Sequence, residues 1–284
     1  MLTASFFTLF STVLITLRGV HAQANPQLEV ESIDAQFDNS YLVPDLLANF
    51  DPVAYLTVSY GGKAISAGTL LPVADTQAAP AITITAANST VTLPANLTLA
   101  LVDPGAIGKL STPGPTRHWL VNGVTVGANG ALVIPETSIT AYGAPYPDEA
   151  DAPHRYALLL WDQPASFAPQ GDLAAGPQPI TQFNLNDYVT SSGLGPVVAG
   201  WYFTCTRGNA VAPTETSAVD TATLPAYLSA HASSSGSQTR SSSTAGTTGT
   251  SGGSGSNGAL GSLSLPRGSV AAALAAAVFG VFVA

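Results

Sequence analysis

Ala152-Pro153-His154-Arg155-Tyr156-Ala157-Leu158-Leu159-Leu160-Trp161 reads as a buried strand entered through a proline. Pro153 has no amide hydrogen to give to a ladder, which suits the start of a strand. Alternation puts His154, Tyr156, Leu158 and Leu160 on one face, and Arg155, Ala157, Leu159 and Trp161 on the other. Both faces become apolar along the strand, so it is expected to be covered on both sides. His154 and Tyr156 then sit at its mouth, where a polar group can be half buried and still face a cavity.

The chain around it carries more short strands of the same kind. Leu28 to Ile33 alternates and predicts a first strand, and Pro44-Asp45 suits a short helical turn. Ala54 to Tyr60 is a strand closed by Gly61-Gly62, with Lys63 to Leu71 as its hairpin partner. Ala81 to Ala86 alternates. Asn96 to Val102 places Leu97, Leu99, Leu101 and Asp103 on one face, so a carboxylate stands where an inward leucine is expected. Arg117 to Asn122 puts His118, Leu120 and Asn122 on a shared face, and Ala131 to Ile134 is another short strand. Phe183 to Ser192 is the one strong helix, capped by Asn184 or Asn186 and stopped by Gly193. Val197 to Thr206 is the last strand. Many short strands, Pro/Gly turns and little helix predict an all-β sandwich.

The ends have a different composition. Residues 1–22 hold an apolar run closing on Val20-His21-Ala22, a secretory signal peptide cut after Ala22. Residues 23–207 form one domain. Residues 208–256 are a disordered stalk, almost wholly Ser, Thr and Gly from Ser229 on, too poor in apolar side chains to offset the entropy of ordering. Residues 257–284 combine small residues at Asn257-Gly258-Ala259, a spacer and an apolar tail reaching the last residue. That is the order of a glycosylphosphatidylinositol attachment signal with Asn257 as the site, Ser254 and Ser256 being neighbouring candidates. A tail-anchored membrane span is the alternative, but no basic residue follows the tail. Asn88 and Asn96 head two glycosylation sequons, as befits an exported chain at the cell surface.

The formal net charge of −9 argues against nucleic acid or an anionic membrane surface as a partner. The single cysteine, Cys205, excludes an internal disulfide. Any anion must therefore be held by local donors. Of four histidines, only His118 and His154 fall in the domain outside its ends. A carboxylate at Asp103 beside two imidazoles would favour their charged form and orient their ring nitrogens. With loop amides at Gly105 to Gly108 and Gly143-Ala144, they make a small anion pocket, with phosphate as the obvious guest. Tyr156 adds a hydroxyl donor, and Trp119, Tyr142 and Tyr146 an apolar rim. The same three residues also match a two-His-one-carboxylate metal set, but no His-x-His spacing supports it. No Gly-x-Ser-x-Gly elbow points to serine hydrolase chemistry. Neither an enzyme activity nor a cofactor is expected.

Leu101-Val102-Asp103-Pro104-Gly105-Ala106, Arg117-His118-Trp119-Leu120-Val121-Asn122, Gly143-Ala144-Pro145-Tyr146-Pro147, His154-Arg155-Tyr156 and Gly193-Leu194-Gly195-Pro196-Val197-Val198-Ala199-Gly200 resemble the phosphatidylethanolamine-binding protein family in its own order. Pro44 to Leu47 with Phe50-Asp51-Pro52 is similar to secreted fungal members. The resemblance implies a Greek-key antiparallel β-sandwich with one or two short peripheral helices. It implies an anion pocket built from Asp103, His118, His154 and Tyr156, with Gly143 and Pro145 from the loop. It also implies phospholipid headgroups or other small anions as ligands, or a role as an interaction module, such as a serine carboxypeptidase inhibitor with a vestigial pocket. The chain departs from the family pattern at Gly105 and Ile107, where the family has Asp and Pro, and at Asp148, where the family has a second proline.

Overall fold

The computed structural model describes residues 25–109, 112, 114–148, 152–207 and 219–232. The expected signal peptide, the attachment signal with Asn257 and most of the stalk lie outside the described residues.

α1 (Pro26–Asn39) opens the domain. Asn25 caps it, its Oδ1 accepting from the amides of Gln27 and Leu28. Pro26 takes the first helical position, where a missing amide costs nothing. Val30, Ile33 and Phe37 recur at helical spacing and form the buried stripe. A strand over Leu28 to Ile33 was the expectation. Cap, proline and stripe together outweigh six residues of alternation.

α2 (Leu42–Asp45) stands where a short helical turn was expected, although Val43 within it is extended. β1 (Ala54–Tyr60) and β2 (Lys63–Ile65) form the expected hairpin. It ends early, because Gly68 turns the chain with φ +77°. β3 (Leu70–Pro72) then leaves β2 and pairs in parallel with the last strand of the domain. β4 (Ala81–Ala86) and β5 (Leu97–Asp103) follow, then β6 (Thr116–Val126) and β7 (Leu132–Val133). β8 (His154–Asp162), β9 (Thr181–Gln182), α3 (Leu185–Ser191), β10 (Val197–Thr206) and α4 (Pro225–Ala232) complete the described chain. Asn184 caps α3, accepting from the amide of Asp187, and Gly193 stops it with φ +72°.

A small sheet runs β2-β1-β4 and a large one β3-β10-β8-β5-β6-β7, with β9 on β6. The pairing is antiparallel throughout, save for β3 with β10. Leu56, Val58, Ile82 and Ile84 of the small sheet pack against Leu99, Leu101, Leu158, Leu160 and Phe203 of the large one. On the far face of the large sheet, Ala100, Val102, Ala157 and Leu159 lie beneath Ile33 and Phe37 of α1 and Leu185 and Tyr188 of α3. β5 and β8 are thus buried on both faces, which is why their sequences are almost continuously apolar. The fold is mostly β with a few short helices. The helical layer is more than peripheral, since α1 and α3 close the second core.

Two details tighten this packing. Phe37 and Phe50 stack with ring centroids 4.0 Å apart, directly over Gly200. A Cβ there would come within 2.8 Å of the Phe50 ring. α4 lies inside the stretch expected to be a disordered stalk, so that expectation does not hold for residues 225–232. Its Ala226 amide donates to Glu31 Oε2 on α1 at 2.8 Å.

Candidate anion-binding site

The site is built at one end of the large sheet. Asp103 closes β5 and His154 opens β8, on neighbouring strands. The Asp103 Oδ2 atom meets His154 Nδ1 at 2.8 Å. The other carboxylate oxygen accepts the Gly105 amide at 2.7 Å. Gly105 adopts φ +95°, a left-handed conformation that only glycine enters freely, and this aims its amide back at Asp103. The position where the family pattern has aspartate is here a turn residue that fixes the carboxylate.

His118 arrives by a bulge. Across the β5–β6 ladder, Leu101 faces Trp119 and Val102 faces Arg117, leaving His118 as an extra residue. A bulge re-aims side chains. The His118 ring stands at 5.2 Å from that of Tyr156, edge to face, on the side of the sheet that carries Asp103 and Leu101. Strict alternation paired His118 with Leu120 and Asn122, and this is corrected. Leu120 belongs to the helix-covered core, and Asn122 accepts from the Tyr188 hydroxyl of α3 at 2.9 Å. Arg117 points to that side as well, its guanidinium 5.0 Å above the Phe183 ring centroid.

Residues 139–143 run beside β6 and hold the histidine. The Gly143 amide donates to the His118 carbonyl at 2.8 Å, and His118 Nδ1 donates back to the Gly143 carbonyl at 3.1 Å. A carbonyl only accepts, so Nδ1 carries the proton, and Nε2 of the neutral ring keeps a lone pair. A Cβ on Gly143 would meet the Ile180 Cδ1 atom at 2.0 Å, so a side chain there would require the exposed Ile180 side chain to turn away. Pro145 is buried in the same loop, whereas Tyr146 is exposed.

Tyr156 is wholly buried, its ring stacked on Phe203 at 5.3 Å. Among the described residues its hydroxyl has no hydrogen-bond partner of good geometry, although the Asp103 carboxylate and the Tyr146 backbone lie beside it. Burial, then the Asp103 charge, push the phenol far above its ordinary range, so it stays protonated. Burial lowers the His118 pKa despite the opposing pull of Asp103. The carboxylate was expected to favour a charged ring, but at His118 desolvation wins. Cys205, opposite His154 on β10, is pushed up to about 12, chiefly by burial, and remains a thiol.

The side chain of His154 is 17% exposed and that of Asp103 9%, so solvent reaches the group from one side. Asp103, His118, His154 and Tyr156 therefore share one site. Trp119 and Tyr142 do not form a rim. They pack edge to face against the inter-sheet core, and the Tyr142 hydroxyl donates to the Thr76 carbonyl at 2.6 Å. Sequence reasoning missed Arg155, whose side chain lies on the opposite face of β8. Its guanidinium donates to the carbonyls of Gly105 at 3.1 Å, Ser40 at 3.0 Å and Tyr41 at 3.0 Å, and pairs with Asp45 at 2.8 Å. It ties the turn after Asp103 to the end of α1. An arginine in the middle of an apolar run was the available signal, since a buried charge demands partners.

The two sequons differ. Asn88 is exposed, its side-chain oxygen accepting from the Thr90 amide at 3.0 Å. Asn96 is exposed too, but Thr98 of its sequon is buried in β5.

The fold is mostly β, with an aspartate–histidine pair and a second histidine at one end of the large sheet. A sequence model of the phosphatidylethanolamine-binding protein family matches residues 51–203. The chain belongs to that family. Among solved structures, it is similar to a carboxypeptidase Y inhibitor complexed with its cognate proteinase, at 20% identity over 65% of this chain and 98% of that one, with a TM-score of 0.49. It is also similar to a phosphatidylethanolamine-binding protein of Plasmodium falciparum, at 19% identity over 60% and 95% of the two chains, TM-score 0.41. An Escherichia coli member shows 14% identity over 54% and 98%, TM-score 0.37.

Proposed function

We propose that this protein is an extracellular, glycolipid-anchored, non-enzymatic binder of a phosphate-bearing headgroup or a similar small anion. The observation that carries the reading is the Asp103–His154 pair beside the buried Tyr156 hydroxyl, which among the described residues has no partner of good geometry. An unsatisfied buried hydroxyl is costly, and a guest oxygen would relieve it. His154 would donate through Nε2 while Asp103 holds its Nδ1. His118 would meet either a guest oxygen, once protonated, or a guest ammonium through its Nε2 lone pair.

The test is an NMR titration of the imidazole signals of the secreted protein with inorganic phosphate and with phosphorylethanolamine. Saturable shifts are expected, and they are lost in His118→Ala and His154→Ala variants that keep their melting temperature. Identical titrations in wild type and both variants would remove the site from the function. If the double variant still slowed a serine carboxypeptidase, surface loops would carry the role instead. Phosphatidylinositol-specific phospholipase C is expected to release the protein from cells; full retention after treatment would refute the anchor.

A further inference from the structure

A phosphate group brings one or two negative charges, and the inner site has little to set against them. Whether or not His154 is protonated, its pair with Asp103 contributes no net positive charge. Burial favours neutral His118, and Tyr156 is neutral as well. The formal net charge of −9 opposes an anion further.

Arg207 lies just beyond the end of β10, at the end of the sheet where β8 begins. It lies two residues beyond Cys205, the partner of His154 across the β8–β10 ladder, and so about 7 Å further along the strand direction. Its guanidinium carbon sits 4.0 Å above the ring centroid of Tyr146. Tyr146 follows Gly143 by three residues in the loop that clamps His118, and its backbone lies beside the Tyr156 hydroxyl. One guanidinium nitrogen, Nη2, is 3.9 Å from Asp148 Oδ1, and the two side chains are 25% and 85% exposed. A pair that long, with so exposed a partner, is a weak one among the contacts Arg207 makes. A planar guanidinium on an aromatic face is preorganised for two parallel bonds to phosphate oxygens.

We propose that Arg207 is the specificity-determining cation of the site: Tyr146 holds it at the mouth of the site, and it exchanges Asp148 for the phosphate oxygens of the guest. This rests on the anion-site reading above. It also gives a role to Asp148, which stands where the family pattern has proline. As a carboxylate beside Arg207, it competes with the guest for the guanidinium.

The experiment is a titration of the secreted protein with inorganic phosphate, read at the His118 and His154 imidazole signals, in wild type, Arg207→Gln, Arg207→Lys, Tyr146→Ala and Asp148→Asn. Arg207→Gln is expected to weaken binding about tenfold, the scale of one charge-assisted contact. Arg207→Lys should fall between it and wild type, and Tyr146→Ala should also weaken binding. Asp148→Asn, which removes the competitor, should tighten it severalfold. If Arg207 were only a latch on the loop, Asp148→Asn would weaken binding as Arg207→Gln does, and that result overturns the proposal. Equal affinity in wild type and Arg207→Gln overturns it as well, while leaving the inner site standing. Wild-type imidazoles unmoved by phosphate would instead bring down the anion-site reading, and this inference with it.

Discussion

His118 donates its Nδ1 proton to Gly143, and burial holds the ring neutral at pH values where a free imidazole would begin to charge. The unfolded chain protonates this ring near pH 6.5, the folded chain only at lower pH. Between those values the unfolded chain binds more protons. Stability contributed by the neutral ring is therefore present above about pH 6.5 and is lost as pH falls through that window. Melting curves from pH 8 to pH 5 should show a steeper decline for wild type than for His118→Gln. Parallel declines would mean that the ring does not contribute. A phosphate oxygen that accepts from Nε2 needs the ring charged, so phosphate binding should take up a proton. Calorimetry in two buffers of different ionisation enthalpy measures that uptake directly, and equal heats in the two would count against it. The residue types of this site were legible in the sequence, since Asp103 breaks an inward leucine row and two histidines stand in otherwise apolar strands. The side on which His118 lies was not legible. A bulge adds one residue without a composition mark, and one residue inverts the face.

At the scale of elements, the turn after Asp103 is only as firm as its support. Arg155 supplies that support from the opposite face of β8, bonding Gly105, Ser40, Tyr41 and Asp45. Arg155→Met would leave Asp45 without its cation and remove the guanidinium bonds to the Gly105, Ser40, Tyr41 and Ala106 carbonyls, the Ser40 carbonyl losing its donor outright. A loss of about 3–5 kcal/mol is expected in urea unfolding, the scale for breaking one side of a buried pair. A loss below about 1 kcal/mol would show that water replaces the guanidinium. Gly200 makes a comparable demand on α1. Gly200→Ala would push into the stacked Phe37 and Phe50 rings, at about 1–3 kcal/mol for overpacking. Faster hydrogen exchange confined to α1 would locate the damage. The central strands were readable because two-sided burial writes continuous apolar runs. α1 was misread because Leu28, Val30 and Ser32 imitate alternation over a short window, although Asn25-Pro26 carried the helix-start signal. The parallel seat of β3 on β10 had no local sequence mark, since only the distant partner strand decides it.

At the scale of the molecule, the described chain closes by bringing α4 back onto α1. Glu31 accepts the Ala226 amide at the start of α4, so a carboxylate sits at a helix N-terminus, where the free amides and the helix dipole favour negative charge. Composition did not hide the start of this helix: the Ser, Thr and Gly run begins only at Ser229, and Pro225-Ala226-Tyr227-Leu228 before it was read as stalk along with it. Its place implies that the ordered domain continues past β10 and that the proposed stalk begins only after α4. A secreted chain ended at residue 218 should lose about 1 kcal/mol against one ended at residue 232, the scale of a capping contact. Glu31→Gln in the longer chain should reproduce part of that loss. Phosphate titration at the imidazoles should be the same in both lengths, because the contacts of Asp103, His154 and His118 come from β5, β6, β8 and the 139–148 loop rather than from α4. Equal urea midpoints for the two lengths would make α4 a passenger on the domain. A phosphate affinity that fell with truncation would instead make the α1–α4 pair a support for the site, acting through the end of α1 that Arg155 grips.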